Sequence, residues 1–133
     1  IAIRQELTDE WKNRDIKTEK EFAILTNEIS KATFGKTVEE YKEYKKLNKE
    51  NLRDHMTDLE LIFNMLGERV TTEITRVKEA DDFDKCSKAA KDGGEVAGNA
   101  RIDAEKKIGR PITCDENYLD EPEKVKRKRI SQI

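Results

Sequence analysis

His55 is the only histidine in the chain, and Asp54, Asp58 and Glu60 stand within five residues of it. An imidazole beside carboxylates has the makings of a general base or a metal ligand. A tight transition-metal site, however, draws on a second imidazole or a thiolate, and neither stands nearby. Cys86 and Cys114 lie 28 residues apart, with no CxxC pair and no Cys/His grouping, so no structural zinc is expected. Two thiols without such a pattern suit a reducing, cytoplasmic setting, a lone disulfide being the alternative. His55 is therefore expected to pack near a helix end. The run Gly35-Lys36-Thr37 has the residues that close a phosphate-binding loop. Ser30 stands where that loop needs its first glycine, though, and no strand pattern precedes it. Thr37 reads instead as a helix cap. No serine sits in a nucleophile elbow, and the many carboxylates are spaced to pair with lysines on helix surfaces. Neither a catalytic residue, a metal ligand nor a cofactor is expected, so the chain reads as a non-enzyme.

The basic residues carry more. Lys42, Lys45, Lys46, Lys49 and Arg53 recur at helix-like steps with Tyr41 and Tyr44 among them, a stripe able to follow a phosphate backbone. Glu39, Glu40, Glu43 and Glu50 are interleaved and dilute its field. A second cluster, Lys124, Lys126, Arg127, Lys128 and Arg129, puts five positive charges into six residues. Such a run either meets an anionic partner or keeps a terminus solvated.

Helices must position all of these. Charged residues make up 42% of the 133 positions, 27 basic against 29 acidic, while Leu, Ile, Val and Phe supply only 29. That lies just above the share of about 20% below which disorder is suspected, and the charges nearly cancel, so a thin-cored domain is expected. No apolar run approaches the roughly 18 residues of a membrane helix, and no signal peptide is visible.

Ile3, Leu7 and Trp11 predict a first helix over about 2–14. Thr18 with Glu21, Thr37 with Glu40 and Thr57 with Glu60 are three capping boxes. The first opens a helix carrying Phe22, Leu25, Ile29 and Ala32 up to Gly35. The second opens one with Val38, Tyr41 and Tyr44. A turn and short helix follow between Leu47 and His55, with Leu52 inward. The third box opens the strongest helix, 58–79, whose apolar stripe is Leu59, Ile62, Phe63, Leu66, Val70, Ile74 and Val77. Gly67 inside it predicts a close neighbour. Asp84 to Lys91 is helical, Gly93-Gly94 is expected to interrupt, and Ala97, Ala100, Ala104 and Ile108 stripe a further helix ending at Gly109. Small residues on both sides of the glycine pair predict a close helix–helix contact. Pro111 prevents continuation, and only Ile112-Thr113-Cys114 could be extended. The expected fold is all-α, an irregular domain of five to seven helices over residues 1–119 with a long central helix, then a flexible basic tail over 120–133.

The run Tyr41-Lys42 … Lys45-Lys46-Leu47-Asn48-Lys49-Glu50-Asn51-Leu52-Arg53-Asp54-His55-Met56, followed by Thr57-Asp58-Leu59-Glu60-Leu61, resembles the DNA-damage-inducible protein D family. So do Thr71-Thr72-Glu73-Ile74 and Gly93-Gly94-Glu95-Val96-Ala97-Gly98-Asn99-Ala100-Arg101, the matching stretches spanning about residues 22–119. The resemblance implies a bacterial or prophage protein of the DNA-damage (SOS) response that modulates recombinase filaments on single-stranded DNA, with no catalytic motif to carry over. Such proteins often bear an amino-terminal module similar to the BRO domain, linked to DNA binding. That module has no counterpart here and the chain starts with Ile, so it reads as the carboxy-terminal helical half. The expected partners are a RecA-class recombinase filament or single-stranded DNA, with no membrane; a missing BRO-like domain and a homo-oligomer are both compatible. Arg101, in the matched glycine run, joins the basic residues above as a candidate contact. The alternative is a DNA-binding or antirepressor-type phage module using the basic stripe.

Overall fold

The computed structural model describes residues 2–116. Five α-helices follow one another: α1 (Ala2–Asn13), α2 (Glu19–Phe34), α3 (Val38–Tyr44), α4 (Asp58–Val77) and α5 (Phe83–Ile108), with a 3-10 turn at Leu52–His55 before α4. No strand occurs among the described residues, and Ile112 to Cys114 pass as a non-repetitive strap over the domain. The all-α expectation holds. The tail over 120–133 lies outside the described residues. Among those described, no helix is long and apolar enough to cross a membrane.

All three boxes form. The hydroxyls of Thr18, Thr37 and Thr57 accept the N–H groups of Glu21, Glu40 and Glu60 at 3.1, 3.2 and 3.1 Å. Each glutamate in turn accepts its threonine's N–H, at 3.1, 2.9 and 2.9 Å. Asp82 caps α5 through Lys85 N–H at 2.8 Å. Each such cap is worth about 0.5–2 kcal/mol against alanine. Gly35 and Gly109 close α2 and α5 at φ 74 and 89, left-handed values where a Cβ would be strained.

The apolar core falls into two parts. Leu7, Trp11, Ile16, Leu25, Ile29, Ala80, Cys86 and Ala90 fill one end. Phe34, Tyr41, Leu47, Leu52, Met56, Phe63 and Ile112 fill the other. Between them α2, α4 and α5 meet through small residues. Gly93 lies against the backbone of Thr71, Gly94 and Gly98 against α2 at Ile29 and Ala32, and Gly67 against Thr33, Ile29 and Ala97. The close contact expected at the paired glycines is present, and so is the close neighbour expected at Gly67.

Two expectations are corrected here. Gly93-Gly94 does not interrupt a helix: α5 runs unbroken for 26 residues and is longer than α4 at 20. Glycine's helix cost of about 1 kcal/mol per residue is offset because only glycine lets α4 and α2 approach so closely. The apolar stripe of α4 is also not its buried face. Phe63 is buried, but Ile62 and Val77 are 53% and 75% exposed, while Glu60, Gly67, Glu68, Thr71, Thr72 and Thr75 are buried. Gly67 and Thr71 face the close approaches to α2 and α5, while Glu60 and Glu68 are buried against their basic partners.

Ion pairs tie α1 to α4. Arg69 and Arg76 reach Glu6 at 2.9 Å each, and Arg76 reaches Glu10 at 2.6 Å. The Arg76 hydrogen bond, opposed by burial and helped by Arg14, holds the Glu10 carboxyl below its ordinary range. A lowered folded-state value contributes stability above the unfolded carboxylate range that is lost as pH falls through the folded one.

Candidate anion-binding cleft

Glu68 is the pivot. It sits on α4, only 3% exposed at its side chain, and two guanidiniums converge on it from separate elements. Arg53 Nη1 donates to both of its carboxylate oxygens, at 2.9 and 3.0 Å. Arg4 Nη1 donates to Oε2 at 3.2 Å. Arg53 is set by the 3-10 turn, where Asn51 Oδ1 accepts its backbone N–H at 2.9 Å. Arg4 is set by α1: its Nη2 donates to the Thr26 hydroxyl at 2.6 Å, and its guanidinium lies 5.5 Å from the Trp11 ring centre. Two positive charges on one carboxylate leave a net positive centre.

Above it opens a cleft of about 460 Å³ between α1, α2, α3 and the turn. Lys42 and Lys49 join Arg4 and Arg53 in its lining; Ile29, Val38, Leu52 and Met56 form an aliphatic floor. The ammoniums of Lys42 and Lys49 form no ion pair among the described residues. Two of the interleaved acids are held by local hydrogen bonds and keep their charge, Glu50 interacting electrostatically with Lys42. Glu40 caps α3, and Glu50 accepts the Asn48 N–H at 2.6 Å. The product is a cationic recess of the kind that binds phosphate.

The candidate contact residues separate. Lys42, Lys49 and Arg53 meet in the cleft. Lys45 does not: it is wholly buried, its Nζ donating to Glu60 Oε1 at 2.9 Å, Cys114 O at 2.6 Å and Glu116 O at 2.8 Å. The helical spacing fails because α3 stops at Tyr44 and Lys46 takes a left-handed backbone, φ 60, which turns the chain. Lys46 stands exposed on that turn, outside the cleft lining. Arg101 is used structurally: Nε donates to Thr33 O at 2.6 Å and Nη1 to Glu105 at 2.8 Å, tying α5 to the end of α2. Lys124, Lys126, Arg127, Lys128 and Arg129 lie outside the described residues.

Arg4 and Glu68 escaped the sequence reading. Arg4 shares a face with Leu7 and Trp11 at i, i+3 and i+7, a spacing that marks an arginine held against the core.

The buried lysine belongs to a second polar group. Glu60 accepts from Lys45, from the Tyr41 hydroxyl, and from Cys114 N–H at 3.3 Å, besides capping α4. Burial first, then the adjacent Glu60 charge, pushes the Tyr41 hydroxyl well above its ordinary range, so it stays a donor. His55 ends the 3-10 turn, half-buried. Among the described residues, no three His, Cys, Asp or Glu side chains are grouped to hold a metal ion.

Burial, then Asp82, pushes the Cys86 thiol up to about 11, whereas Cys114 is partly exposed. A thiol reagent at about pH 8 is expected to modify Cys114 in the native protein and to reach Cys86 only in denaturant. Two fast thiols per chain would place Cys86 at the surface.

No protein family, no characterised protein and no solved structure matches the chain.

Proposed function

We propose that this protein is a non-enzymatic regulator of the DNA-damage response that binds single-stranded DNA, bare or within a recombinase filament. Lys42 and Lys49, two cations that form no salt bridge among the described residues, stand beside a doubly occupied Glu68 and carry this reading. The resemblance to DNA-damage-inducible protein D supports the biological setting, and the cleft supplies the chemistry: neutralised phosphates release counterions, which makes binding fall steeply with salt.

The test is binding of the 133-residue chain to recombinase filament, naked single strand and duplex at two salt concentrations. Each lysine that meets a phosphate adds about 0.7 to the log–log salt slope on a single strand. Changing Lys42 and Lys49 together to Ala is thus expected to flatten the slope by about 1.4 and to weaken binding while the helical spectrum is unchanged. Deleting residues 124–133 is expected to flatten it further. Binding that ignores salt would point to apolar docking on a protein partner, and binding to none of the three would overturn the proposal.

A further inference from the structure

Resting on the single-strand reading above, we infer that the cleft is a pocket for one unstacked nucleotide. Its phosphate lies on Lys42, Lys49 and Arg53, and its base lies over the aliphatic floor against Asn64. Three observations converge on this. The cleft, about 460 Å³, falls within the roughly 300–1,000 Å³ of small-molecule sites and is far larger than a phosphate group alone requires. Its lining combines the cations with Val38, Leu52 and Met56, the two kinds of contact that a ligand with one charged and one flat apolar part needs.

The third observation is polar. Asn64 lines the cleft half-buried, and its side-chain amide makes no hydrogen bond among the described residues. An asparagine amide presents a donor and an acceptor side by side, the pattern that reads a base edge. Arg53 also keeps Nε and Nη2 unbonded among the described residues, since Glu68 takes only Nη1. A paired base cannot enter such a recess, whereas single-strand recognition presents bases splayed out of the stack. With no aromatic side chain in the lining, the base is held by its edge and by aliphatic contact rather than by ring stacking.

The test compares a single-stranded oligonucleotide with the same oligonucleotide carrying abasic sites, using the full chain and fluorescence anisotropy. Intact DNA is expected to bind about fivefold tighter or more. Asn64→Ala should shrink that ratio toward the share left by aliphatic contact and leave the salt slope alone. The Lys42→Ala/Lys49→Ala pair should do the reverse. Equal binding of intact and abasic strands, both salt-sensitive, would overturn the nucleotide pocket while leaving the single-strand proposal standing. Loss of all DNA binding would remove both. A phosphoserine peptide that competes as well as the intact strand would likewise overturn the inference, because it offers the phosphate without the base.

Discussion

Replacing Glu60 with alanine is expected to cost about 3–5 kcal/mol, the usual result of removing one member of a buried ion pair. Both Lys45 and Glu60 are wholly buried. Without the carboxylate, the Lys45 ammonium loses its ion pair with Glu60, the Tyr41 hydroxyl loses its acceptor, and Thr57 and Cys114 lose theirs. A domain of this size holds about 5–15 kcal/mol in all, so the variant should unfold at a much lower urea concentration. Tyr41→Phe should cost less, about 1.5–3 kcal/mol, since it removes one hydrogen bond to a charged acceptor. Equilibrium urea unfolding followed by Trp11 fluorescence measures both. A loss under about 1 kcal/mol for Glu60→Ala would match an exposed pair and contradict the burial of this one.

Glycine-to-alanine changes give the second large effect, through a change of sign. In an unconstrained helix the substitution stabilises by about 0.8–1 kcal/mol. At Gly67 the new methyl would meet the Thr33 hydroxyl at 2.9 Å and Ile29 Cγ2 at 3.2 Å, side-chain atoms able to give way. Near-neutral stability is expected. At Gly93 it would meet the backbone N and Cα of Thr71 at 2.7 and 2.8 Å. Backbone cannot rotate aside, so α4 and α5 must separate, and overpacking of about 1–3 kcal/mol or more outweighs the helix gain. Adding Thr71→Ala removes the hydroxyl but not the backbone atoms, so rescue should be partial. Thermal unfolding of the two single variants and the double decides. Equal midpoints for Gly67→Ala and Gly93→Ala would mean the interhelical contact is loose.

Local chemistry was the legible part. Thr18, Thr37 and Thr57 each complete a box within three residues, so spacing alone revealed three helix starts, all of which form. Gly93-Gly94 misled because helix propensity is local while the benefit of a missing side chain lies on α4 and α2. Glu60 was visible as a cap, but its pairing with Lys45 depends on where the chain turns after Tyr44, which periodicity cannot carry across. In the cleft, Lys42, Lys49 and Arg53 were found by charge spacing. Arg4 and Glu68, 64 residues apart, were not, since nothing near either residue signals the other.

The acceptors of Lys45 have an implication for synthesis on the ribosome. Two of them are carbonyls 69 and 71 residues further along. At about 5–20 residues per second, they emerge on the order of several seconds after the lysine. During that interval Glu60 can arrive, but the strap cannot, and α2 still lacks the glycine face of α5 that covers it. Vectorial growth therefore cannot build this domain helix by helix. The final thirty or so residues of the described fold close both ends of the core together, and until they emerge the faces they cover stay open on the nascent chain.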